Sequence, residues 1–105
     1  ARCPMALGPE LQEQHAIRQF AEAAGCVVYV HSQHRKPQRS APQAGHPDLT
    51  ILLPNQRGLV YWETKVAGGT QRKEQYWFEL ACVRAGVRYG TGTCADFHTY
   101  WEHLP

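Results

Sequence analysis

The sequence predicts one α/β domain, a mixed β-sheet flanked by helices. Three observations predict it. Short apolar runs of strand-like composition fall at 26–31, 49–53, 59–62 and 87–91, and helically spaced segments interleave with them. The resulting order is helix, three strands, helix, strand, helix, with no internal repeat. The chain has 105 residues, 43% hydrophobic and 19% charged, which suits a single globular domain with its own core.

From about Glu10 to Ala24, the residues Ile17, Phe20, Ala21 and Ala24 share one helical stripe, and Gly25 suits its end. Extended backward, the stripe reaches Gln14 and Glu10. Glu10 therefore points from the first turn toward whatever the helix packs on. Pro9 followed by an acidic residue equally suits a plain helix start, and the residues do not decide between these readings. Cys26 to His31 is nearly continuous and apolar, which predicts a buried strand. Ser32 to Gly45 is rich in Arg, Lys, Gln, Ser and Pro, too polar to pack, and predicts a mobile or ligand-ordered loop.

Leu49 to Leu53 and Leu59 to Trp62 alternate at period two around Pro54-Asn55-Gln56-Arg57-Gly58, which predicts a β-hairpin. Ala67-Gly68-Gly69-Thr70 then breaks the strand. Thr70 or Gln71 opens a helix to about Ala85, stopped by Gly86. Gln75, Phe78, Cys82 and Ala85 form its inner stripe. Tyr76 and Trp77 lie off that stripe and read as a second packing surface, such as a subunit interface, ahead of base stacking. Val87 to Thr91 is the last strand. Ala95 to Leu104 is a short helix, with Phe97, Tyr100, Trp101 and Leu104 at helical spacing and Asp96 in its first turn.

Composition excludes some classes. No run is long and apolar enough to span a membrane. The start, ARCPMALGPE, lacks the apolar core of a signal peptide, so a cytoplasmic setting is expected. Cys3, Cys26, Cys82 and Cys94 show no zinc-finger spacing. Cys26 and Cys82 read as small core residues with reduced thiols. The net charge of +2 is uninformative, but its distribution is not. Arg35, Lys36 and Arg39 cluster with His31 and His34 before the hairpin, and Arg72 and Lys73 follow it. Such groups suit a phosphate backbone, although solvated loop charge has the same composition.

The hairpin carries the chemistry. It sets Asp48 at the start of one strand beside Glu63 and Lys65 at the end of its partner. Residues two apart share a face, so Glu63 and Lys65 project together. Two like charges about 4 Å apart repel by roughly 4 kcal/mol at an effective dielectric near 20. A proton, Lys65 or a cation must offset that repulsion. A hard divalent cation with oxygen ligands is the natural partner. Backbone N–H groups at Gly68, Gly69 and the following helix start could receive a phosphate. Alone, E-x-K is a weak motif and equally describes surface charge at a strand end.

The combination is more specific. Gly45-x-Pro47-Asp48-Leu49, a hydrophobic strand, a turn, Glu63-x-Lys65, a Gly-rich break and Gln75 in a helix resemble the PD-(D/E)xK nuclease superfamily. The pattern is most similar to its stand-alone, phage-type virus-type replication-repair nuclease (VRR-NUC) domain. The resemblance spans about Glu10 to Leu104 and implies a restriction-endonuclease-like αβββαβ core. It departs mildly at Phe78, usually Trp, at Cys82, usually Leu, and at Arg72, usually small. The resemblance implies Mg²⁺ or Mn²⁺ held by Glu10, Asp48, Glu63 and the Thr64 carbonyl. Asp48, Glu63, Lys65 and Gln75 would carry catalysis. His31, Arg35, Lys36, Arg39, Ser40, Gly68, Gly69, Arg72 and Lys73 would meet the substrate. The expected activity is structure-selective cleavage of DNA, four-way junction or flap, by a homodimer. The alternatives are a catalytically inactive nucleic-acid-binding module of this fold, or a histidine-based metalloprotein using His31, His34, His46, His98 and His103. No tight histidine spacing supports the last.

Overall fold

The structure, a computed structural model, describes residues 8–31 and 45–105. Within them the order is α1 (Pro9–Ala23), β1 (Val27–Val30), β2 (Leu49–Leu52), β3 (Leu59–Thr64), α2 (Lys73–Ala85), β4 (Arg88–Gly92) and α3 (Cys94–Glu102). The strands form one sheet in the order β1-β2-β3-β4. β1–β2 and β2–β3 pair antiparallel, and β3–β4 pair parallel. The parallel pair needs a crossover, which α2 supplies. No helix among the described residues is long and apolar enough to cross a membrane.

Period-two alternation sorts the sheet into two faces. Leu49, Ile51, Val60 and Trp62 turn to one face and are fully buried against Ile17 and Ala21 of α1 and Phe97 of α3. The Trp62 and Phe97 rings meet edge-on at 4.9 Å. Gly90 lies opposite Trp62 in the register, and a Cβ there would sit 2.3 Å from the indole. The bare backbone lets the large ring lie over β4. On the other face α2 packs near β4, where Phe78 lies 5.2 Å from Tyr61 and 6.1 Å from Tyr89. Cys26 and Cys82 are buried free thiols, as expected.

Two expectations change. The first strand is not buried: Val28 is, but Val27, Tyr29 and Val30 are 51%, 56% and 41% exposed. β1 is a sheet edge, and α2 covers the distant β4 side of the second face. Continuous apolar composition here does not mean cover on both faces. The second helix starts at Lys73 rather than at Thr70 or Gln71. Its start is set by Gln75, whose Oε1 accepts the Arg72 N–H at 2.8 Å. At α3 the expected polar start is a reciprocal cap: Asp96 N–H donates to Thr93 Oγ1, and Thr93 N–H to Asp96 Oδ2.

Candidate active site

The hairpin register pairs Leu49 with Trp62, which brings Asp48, just before β2, beside Glu63. The first turn of α1 adds Glu10 to the same end of the sheet. One carboxylate oxygen from each of Glu10, Asp48 and Glu63 lies within 4.8 Å of the others. They open into a cleft of about 310 Å³, lined also by Leu11, Gln14, Lys65, Arg72 and Gln75.

Each acidic group is held differently. Glu10 is exposed at the rim, whereas Asp48 and Glu63 are each 3% exposed. Asp48 Oδ2 accepts the Thr64 N–H at 3.0 Å, and its backbone carbonyl accepts the His31 N–H at 2.8 Å. The N–H and C=O of one strand residue point the same way, so the Thr64 carbonyl is directed to the Asp48 side of β3. The turn before Asp48 is pinned to α2. Gly45 has φ +83°, and a Cβ there would lie 2.3 Å from the Glu74 carbonyl oxygen.

Gln75 organises the second half of the cleft. It is 2% exposed, and its Oε1 accepts from Lys65 Nζ at 2.9 Å as well as from the Arg72 N–H. Its Nε2 donates to Glu63 Oε2 at 2.6 Å. An amide oxygen accepts only and its NH₂ donates only, so these three contacts fix the amide's orientation. Lys65 Nζ is thereby held 3.9 Å from Glu63 Oε2. Glu63 Oε1 is buried and has no hydrogen-bond partner among the described residues.

The electrostatics match this geometry. Burial, then the adjacent Asp48 charge, push Glu63 from 4.5 up to about 8, against a smaller opposing pull from Lys65. Burial also raises Asp48, against the Thr64 N–H bond that favours its charge. An orphaned carboxylate oxygen, two buried acids and a third at the rim fit a hard divalent cation. Asp48, Glu63, Glu10 and the Thr64 carbonyl are the groups that would hold it.

The other expected site residues divide. Arg72 lines the cleft. Lys73 is exposed at the start of α2. Gly68 and Gly69 line a neighbouring hollow of about 250 Å³ that shares Lys65 with the cleft. His31 does not line the cleft: its Nε2 contacts Thr50 Oγ1 at 2.7 Å, and its ring lies 4.4 Å from His46. Arg35, Lys36, Arg39 and Ser40, with His34, lie outside the described residues. Gln14 was not expected in the site, although it follows Glu10 by one turn on the α1 stripe, the signal that would have found it.

The αβββαβ core is shared with a known domain. A solved structure described as a VRR_NUC domain superposes with a TM-score of 0.71 at 22% identity, covering 91% of this chain and 97% of that one. The chain therefore has the VRR-NUC fold. No protein-family model matches the chain, and no curated protein does.

Proposed function

We propose that the chain is a metal-dependent DNA endonuclease that hydrolyses phosphodiester bonds. The observation that carries this is the convergence of Glu10, Asp48 and Glu63 on one point of a VRR-NUC fold, with Lys65 held beside them by Gln75. Mg²⁺ or Mn²⁺, when bound, supplies Lewis acidity toward the phosphodiester and makes water a stronger acid. Asp48, Glu63, Glu10 and the Thr64 carbonyl hold that cation. Lys65 orients the attacking water or stabilises charge developing on the phosphorane. Gln75 keeps the ammonium from collapsing onto Glu63. Arg72, with Lys73 and the Gly68-Gly69 turn, steadies the flanking phosphates. The products are a 5′-phosphate and a 3′-hydroxyl.

The resemblance to junction-resolving nucleases of this fold supports a branched substrate such as a four-way junction or flap. A homodimer would present two such clefts to two strands, in the cytoplasm of a bacterial or phage-infected cell.

The test is a panel of labelled linear duplex, flap, four-way junction and single strand with Mg²⁺, Mn²⁺ or EDTA. Cleavage should require a cation. It should disappear in Asp48→Ala, Glu63→Ala and Lys65→Ala proteins that remain folded. Wild-type rates from Lys65→Ala would overturn the mechanism, and binding without cleavage under every cation would make the chain a binding module.

A further inference from the structure

We infer that the outward face of α2 seats an unpaired nucleotide base beside the cleft; the inference rests on the nuclease reading for its partner, a nucleic-acid strand. At 100° per residue, Gln75, Phe78 and Cys82 fall on one side of α2, and Gln75 and Cys82 are buried. The opposite arc carries Lys73, Tyr76, Trp77, Leu80, Val83 and Arg84. Tyr76, Trp77 and Val83 are 51%, 56% and 67% exposed. The Tyr76 and Trp77 rings meet at 5.5 Å and 63°, a stepped aromatic surface open to solvent. No α2 carboxylate lies within this arc: Glu74 and Glu79 flank it on either side, and Glu79 accepts from Gln71 Nε2 at 3.0 Å.

The charge pattern selects the occupant. An antiparallel pairing of α2 with a second copy, centred on this arc, would bring Lys73 against Arg84, with Glu74 and Glu79 only at the flanks. A nucleic-acid strand offers what the face lacks, phosphates for the two cations and flat bases for the two rings. The face also continues from the cleft. Arg72 lines it, Lys73 follows, and Tyr76 and Trp77 stand one turn further along. A strand leaving the cleft over the start of α2 meets them in that order. Bases inside a continuous duplex are already stacked, so only an unpaired or terminal base can use such a platform. The substrate class is DNA with unpaired nucleotides some way beyond the scissile phosphate, on the strand that passes the start of α2.

The experiment measures binding, not cleavage. Fluorescence polarisation with Mg²⁺ compares a flap with a continuous duplex of the same length, in the full chain carrying Lys65→Ala. Adding Tyr76→Ala and Trp77→Ala should weaken flap binding tenfold or more and duplex binding less than twofold. Trp77→Phe, which keeps a ring, should retain most of the flap affinity. Thermal melts confirm that these surface variants fold, and sedimentation gives their oligomeric state. Equal loss on both substrates, or no loss, overturns the proposal. So does a dimer-to-monomer change in the double variant with flap affinity per chain unchanged, which would make the face a self-interface. Flap binding through the rings by a wild-type chain that cuts nothing would sink the nuclease reading and leave this one standing.

Discussion

Replacing Glu63 with glutamine should stabilise the cation-free protein at alkaline pH while ending its chemistry. Glu63 is 3% exposed, and its upward shift from 4.5 to about 8 corresponds to a ceiling of roughly 5 kcal/mol on the cost of ionising it in the fold. The sign follows from linkage: the folded state binds the proton more tightly than the unfolded chain. The cost is absent below pH 4.5, grows as pH rises, and is complete above about 8. Asp48 is shifted the same way, so stability without a cation should fall across this window. A glutamine keeps the acceptor for Gln75 Nε2 and puts an NH₂ in place of the orphaned Oε1. Half the ceiling, about 2.5 kcal/mol, would raise the melting temperature by roughly 10 °C or more in a domain of this size. The assay is a thermal melt in EDTA at pH 5 and pH 8.5. The variant should gain at pH 8.5 and show little difference at pH 5. A variant no more stable than wild type at pH 8.5 would refute the claim that the cleft stores electrostatic strain.

Three further outcomes follow from the same geometry. Mn²⁺ or Mg²⁺ should raise the wild-type melting temperature more at pH 8.5 than at pH 6, because the ligands must shed protons to bind, and Asp48→Ala should remove the effect. Gln75→Ala frees Lys65 and one Glu63 oxygen together; turnover should fall about 10- to 100-fold with little change in KM, measured by steady-state cleavage. Gly45→Ala forces a side chain into a left-handed turn and onto the Glu74 carbonyl, and should cost about 2 kcal/mol or more in urea denaturation.

Much of this was legible because alternation and helical spacing are local. The period-two runs at 49–53 and 59–62 fixed both the hairpin and the meeting of Asp48 with Glu63. The α1 stripe, followed backward, reached Glu10, and the α2 stripe reached Gln75. What local pattern could not convey was tertiary cover. Val27, Tyr29 and Val30 are as apolar as any buried strand, yet stand at an edge. The start of α2 depends on one glutamine amide that also serves Lys65 and Glu63, a conjunction invisible in a residue-by-residue reading. The His31 ring shares the sheet face of Thr50 and Tyr61 but sits at the edge strand, one strand further from Glu63 than Asp48, and so meets Thr50 and His46 rather than the cleft.

On the proposed reading, three separately placed carboxylates would close on one dication beside Lys65. Diffraction from crystals grown with Mn²⁺, recorded at the manganese absorption edge, tests it most directly. One strong anomalous peak is expected at bonding distance from Asp48 and Glu63, with Glu10 reaching it directly or through water. A peak elsewhere on the molecule, or none at saturating Mn²⁺ and pH 8.5, would contradict that reading.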